Sequence, residues 1–237
     1  MGRELNGRWV ALAIAIGGCS ATIKPGATVD VLIASTTSPP VRDGSRVFET
    51  DRKFVVTIEK GYLATHAVEI FPCESVSSIV RRWFERDAYA HTVGTPTRLG
   101  IPAVESLVAT EQVAVGKLYP PLGSYCRIRH SIAAADDDAV ALPTDISMVG
   151  KSLSIRGFVS HLNGEGRHDL TIESSVAFDV ETVIAPMQLR ANGEPVVIML
   201  TKSGDHWFDG IDFDSPDEDV ERRVLANIQK SLTVRVE

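Results

Sequence analysis

The sequence has only one concentrated apolar run, Trp9 to Ile16, and no stretch long enough to cross a membrane as a helix. A hydrocarbon core takes roughly 20 residues at about 1.5 Å of rise each, so a run this short excludes a transmembrane helix. Cationic residues are in the minority: 24 Lys and Arg stand against 31 Asp and Glu, a formal net charge of −7. With no basic stripe to offset that balance, the composition argues against electrostatic binding to nucleic acid or to anionic headgroups. Catalytic motifs are missing as well. There is no Gly-x-Ser-x-Gly elbow, no His-Glu-x-x-His, no phosphate-binding glycine loop and no metal-type Cys-x-x-Cys. Any active site would therefore have to be dispersed over the fold.

What the sequence does contain begins at its N-terminus. Arg3 and Arg8 precede the apolar run and small residues follow it, which is the order of parts in an export signal. The run ends in Ile16-Gly17-Gly18-Cys19. This stretch resembles the lipobox of bacterial lipoproteins, an aliphatic residue and two small ones before a cysteine. The resemblance implies diacylglycerol on the Cys19 sulfur, cleavage before Cys19 and acylation of the new amine, with each buried methylene contributing about 0.8 kcal/mol to anchoring. An ordinary cleaved secretory peptide is the alternative. The chain then divides into a signal peptide over 1–18, a lipidated tether over 19–27 containing Pro25-Gly26, and a single β-rich domain over 28–237. The expected location is the bacterial cell envelope, lipid-anchored to the outer or inner membrane and facing the periplasm or the surface.

Cysteine counting agrees. Three cysteines in an exported protein leave one over. Giving Cys19 to lipid leaves Cys73 and Cys126 as a pair in an oxidising compartment, which predicts a disulfide; two buried free thiols are the alternative.

Alternation of period two with β-branched enrichment predicts strands over Val29 to Ala34, Lys53 to Glu59, Tyr62 to Phe71, Tyr125 to Ala133, Lys151 to His161, His168 to Val180 and Val196 to Thr201. Gly61, Asn163-Gly164-Glu165-Gly166 and Asn192-Gly193-Glu194-Pro195 fall between these segments and read as turns. One apolar face per strand suits a mainly β protein, an antiparallel sandwich with an open barrel as the alternative. Ser215-Pro216-Asp217-Glu218 reads as a capping box ahead of an apolar stripe at Val220, Val224, Leu225 and Ile228, which predicts a short helix. Helical spacing recurs at Val76, Ile79, Val80 and Trp83, and Leu232 to Val236 alternates as a closing strand.

Two groups of residues could carry chemistry. The acidic stretch Asp205 to Asp214 invites calcium, but Asp209, Asp212 and Asp214 miss the EF-hand spacing, and a solvated loop is the simpler reading. Asp136-Asp137-Asp138 reads as a turn. Histidines are the second group: His66, His130, His161 and His168 each alternate with aliphatic residues of a predicted strand. Imidazoles on neighbouring strands can converge on a metal without any local motif. His66 and His130, with His91 as the third, are the candidate set, because His66 and His130 flank the Cys73–Cys126 stretch and His91 is the histidine inside it. The competing reading is that each is a strand histidine satisfied by one hydrogen bond.

Gly61-Tyr62-Leu63-Ala64-Thr65-His66-Ala67-Val68-Glu69-Ile70 resembles the strand of periplasmic copper-associated proteins of the MbnP type, and the tail from Trp207 through Asn227-Ile228 is similar in layout. That resemblance implies copper, although the family's paired tryptophans have no counterpart here. Pro96 to Gly100 and Pro120 to Cys126 are more similar to segments of uncharacterised envelope lipoproteins, a likeness that implies no activity. The expected function is a non-enzymatic binding or structural module of the envelope. Its expected partners are the membrane, through the N-terminal lipid, and an envelope protein or small ligand, with no nucleic acid and no cofactor. The alternative is a copper-binding lipoprotein using strand histidines.

Overall fold

The computed structural model describes residues 31–38, 41, 43–73, 95–109, 112–191, 194–215 and 219–237, with only the backbone of 31–35 and 38. In chain order the elements are β1 Val31–Ser38, β2 Arg46–Glu49, β3 Phe54–Pro72, β4 Arg98–Leu99, β5 Ala103–Ser106, β6 Val113–Leu118, β7 Gly123–Ile132, β8 Leu153–His161, β9 His168–Ser174 and β10 Phe178–Leu189. They continue with β11 Val196–Ser203, a 3₁₀ turn Gly204–His206, α1 Val220–Lys230 and β12 Leu232–Val236. The protein is mainly β, as the alternation predicts. The larger sheet has the order β10-β7-β3-β8-β9, with β2, β4 and β5 also pairing with β3, and the smaller has the order β12-β11-β1-β6. The larger sheet is antiparallel throughout. In the smaller one β1 runs parallel to β11, two strands from opposite ends of the chain.

The 19-residue strand β3 is the spine of the molecule. It pairs with β8 over Phe54–Leu63 and with β7 over Thr65–Pro72. Sequence reading places a turn at Gly61, but the strand runs straight through it. The small residue serves close approach instead: a Cβ there would stand 3.1 Å from both Ile58 and Leu107, whose N–H donates to the Gly61 carbonyl at 2.7 Å. Gly157 in β8 is tighter still, since a Cβ would fall 1.9 Å from the Thr57 carbonyl oxygen, a position no side chain can occupy. Conversely, the predicted strand His168 to Val180 is two strands, separated by a turn in which the Val176 N–H donates to Ser174 Oγ at 3.1 Å.

Two apolar cores lie along the inner face of β3. Around its first half, Val56, Ile58, Leu63, Leu153, Ile155 and Val159 meet Trp207, Phe208, Ile211 and Phe213 and the stripe Val224, Leu225 and Ile228 of α1. That helix starts at Val220 with Asp219 before it; residues 216–218 of the expected capping box lie outside the described residues. Around the second half of β3, Val68, Ile70, Ile128, Met187 and Leu189 pack against Leu118, Ile198 and Leu200 of the smaller sheet, which makes the structure a sandwich at this end. The expected helical stretch Val76 to Trp83 and the turn residues Asn192-Gly193 lie outside the described residues.

Candidate functional site

Between the two cores the inner face turns polar. Strand β3 changes partner at a β-bulge: Thr65 is in register with Ile132 and Ala67 with Ser131, leaving His66 as the extra residue. The bulge shifts the alternation, so Leu63 and Thr65 before it lie on the same face as Val68 and Ile70 after it. Four polar side chains meet there from four strands: Thr65 of β3, Glu105 of β5, His130 of β7 and Lys202 of β11. All four are at most 4% exposed.

Lys202 Nζ donates to Glu105 Oε2 at 2.8 Å, an ion pair that joins the two sheets. Thr65 Oγ1 donates to Glu105 Oε1. Because that uses the only hydroxyl hydrogen, the 2.9 Å contact between Thr65 Oγ1 and His130 Nε2 is a donation from the imidazole, which therefore carries its proton on Nε2. His130 Nδ1 is left as a buried acceptor without a hydrogen-bond partner among the described residues. The result is a one-way chain from His130 through Thr65 to Glu105, closed by the Lys202 ammonium. It carries a balanced pair of charges and a neutral imidazole, which is what a dry interior tolerates.

Burial holds His130 far below the ordinary imidazole range, at about 4; the nearby Lys202 ammonium pushes the same way, and the Glu105 and Asp179 carboxylates oppose it. An unfolded chain takes up this proton near pH 6.5, whereas the folded chain refuses it until about pH 4. More protons are bound by the unfolded state in that window, so the contribution of His130 to stability falls as pH drops through it and is level below it. At about 1.4 kcal/mol per unit, the full loss is roughly 3 kcal/mol. Urea unfolding of the wild type and of His130→Gln, at about pH 7 and about pH 4, should show a smaller acid-induced loss in the variant. Equal losses in both would remove His130 as the source.

The remaining candidates are scattered. Cys73, just beyond β3, and Cys126 of β7 form the predicted disulfide, with Cα atoms 4.8 Å apart. Cys19 and His91 lie outside the described residues. His66 is half-buried, and its Nδ1 is buried without a partner among the described residues. His161 stacks on Phe54 at 4.9 Å and faces Asp214 at 3.4 Å, while His168 is exposed at its strand's end, with Nδ1 2.9 Å from the Gly166 carbonyl. Among the described residues no three His, Cys, Asp or Glu side chains are grouped as a metal site.

The acidic stretch after β11 is a clasp. Its aromatic residues enter the first core, and its carboxylates hold the β2–β3 turn: Asp209 accepts from the Asp51 N–H, Asp212 pairs with Arg52 at 3.3 Å, and the Gly210 N–H donates to Asp51. On the outer face of β3, β7 and β10, Arg127 and Arg129 lie over the Phe71 ring at 5.3 and 4.7 Å, both pair with Glu181, and Arg129 stands 3.8 Å from Glu69, so two arginines meet two glutamates on this face.

Sequence reading finds His130 and misses Thr65, Glu105 and Lys202. The signal for Lys202 is that it continues the alternation of Ile198 and Leu200 into a buried position. Glu105 sits in a four-residue strand too short to register as a pattern. Compared with known protein families, curated proteins and solved structures, the chain matches none.

Proposed function

We propose that the chain is a lipid-anchored module of the bacterial cell envelope that binds or supports a partner through its β-sandwich. The observation that carries this reading is the Cys73–Cys126 bond, which uses both cysteines of the body and leaves Cys19, behind the apolar run, as the third. Disulfides persist outside the cytoplasm, so the bond and the export signal call for the same compartment. The buried Lys202–Glu105–Thr65–His130 chain is consistent with a structural role, because these groups are buried and bonded to one another. Cys19→Ser should move the protein from the membrane fraction to the soluble fraction and abolish incorporation of labelled fatty acid. A serine variant that still fractionates with membranes, beside a wild type that takes up no label, would sink the anchor.

Two buried imidazole nitrogens without hydrogen-bond partners among the described residues, Nδ1 of His66 and of His130, favour a second reading in which strand histidines hold copper or a similar metal. Such a site would need a further ligand, with His91 the candidate. Elemental analysis of protein purified without chelator separates the readings: stoichiometric metal, lost in His91→Ala, supports the second, and metal-free protein removes it.

A further inference from the structure

The geometry points to the turn between β6 and β7 as a surface that rests on the lipid bilayer. This inference depends on the anchor at Cys19 and adds which end of the body touches the membrane. Val31, the first residue of β1, is in register with Leu118, the last of β6, and with Val196, the first of β11. Tyr119 follows Leu118 directly, and Tyr119-Pro120-Pro121-Leu122 leads into Gly123, which is in register with Leu189 at the end of β10. The chain from the lipid therefore enters the body at the end where this turn lies. Residues 20–30 separate Cys19 from Val31 and reach at most roughly 40 Å when fully extended, so this end of the body stays within that distance of the lipid.

The turn has the chemistry of a membrane interface. Tyr119 is 50% exposed and Leu122 40%, and the exposed Pro121 lies between them. A tyrosine ring carries an apolar body with a polar tip, which suits the headgroup level. The Lys117 ammonium lies 5.4 Å from that ring, on a stem that can lie along apolar surface while its head stays among phosphates. The backbone of the turn brings few unmet polar groups with it. The Tyr119 N–H donates to the Pro96 carbonyl at 3.2 Å, Pro120 and Pro121 have no N–H, and the Pro121 carbonyl accepts from the Tyr125 hydroxyl at 2.9 Å. Two exposed side chains would not hold a free protein on a membrane. A protein already tethered there meets the surface at high effective concentration, and the same two suffice to orient it.

The test uses the lipidated full chain, reconstituted into phosphatidylethanolamine–phosphatidylglycerol vesicles with nitroxide on part of their acyl chains. A fluorophore on Leu122→Cys is compared with one on Leu162→Cys. Leu162 is 50% exposed and lies next to His161, which pairs with Phe54 at the start of β3, whereas the other end of β3, Pro72, pairs with Tyr125 near the turn. The label at 122 should be quenched several-fold more by the nitroxide lipid and less by aqueous iodide than the label at 162. Chains that float with the vesicles but show equal quenching at both positions overturn this inference and leave the anchor standing. Chains that do not float at all remove the anchor, and this inference with it.

Discussion

Replacing Lys202 by methionine should destabilise the fold by about 3 to 5 kcal/mol, the cost of leaving a buried charge without its partner. Methionine matches the length of the lysine stem and keeps its apolar contacts, so the loss isolates the ammonium. Glu105 would then lose the ammonium that faces its Oε2. Lys202→Met with Glu105→Gln should cost clearly less than the two single changes added together, because the glutamine still accepts from Thr65 and no charge is left unmatched. Urea unfolding of the four proteins completes a double-mutant cycle. Additive costs would show that the 2.8 Å contact couples nothing. The same cycle asks whether this contact is what ties the smaller sheet to the larger where the apolar cores part.

Removing the disulfide, by reduction or as Cys73→Ser with Cys126→Ser, should cost about 4 kcal/mol, the loop-closure entropy for the sequence separation of 53. The bond closes a loop that contains 74–94 and links the end of β3 to β7, strands already in register at Pro72 and Tyr125. The folded state therefore needs no rearrangement to accommodate it, and the effect should lie mainly in the unfolded chain. Denaturation midpoints with and without reductant give the comparison. An unchanged midpoint would mean that the loop is already constrained in the unfolded ensemble.

Much of the architecture was legible because strand alternation is a local property. Tyr125 to Ala133 and Lys151 to His161 fall on β7 and β8 with small boundary shifts, since β7 buries Ile128, His130 and Ile132 in alternation and β8 buries Leu153, Ile155 and Val159. The errors have physical causes. Gly61 carries the same composition signal in a turn as in a strand interior that a neighbour approaches closely, and only the position of Leu107 distinguishes the two. Alternation groups His66 with Ala64, Val68 and Ile70, but the bulge at His66 adds one residue and puts Val68 and Ile70 on the face of Leu63 and Thr65 instead.

Taken alone, the sequence determined the mainly β character, the short C-terminal helix stripe and the pairing of Cys73 with Cys126, all of which follow from nearest-neighbour pattern or from simple counting. It also supplied the expectation of an export signal, on which the anchor is proposed. Tertiary structure alone decided that Thr65, Glu105, His130 and Lys202 meet, because residues up to 137 positions apart share a face only once β1 and β11 have paired in parallel and β3 has changed partner at its bulge. No local pattern encodes such a meeting: a lysine and a glutamate read as solvated until both are placed between two cores, where losing water makes each depend on the other.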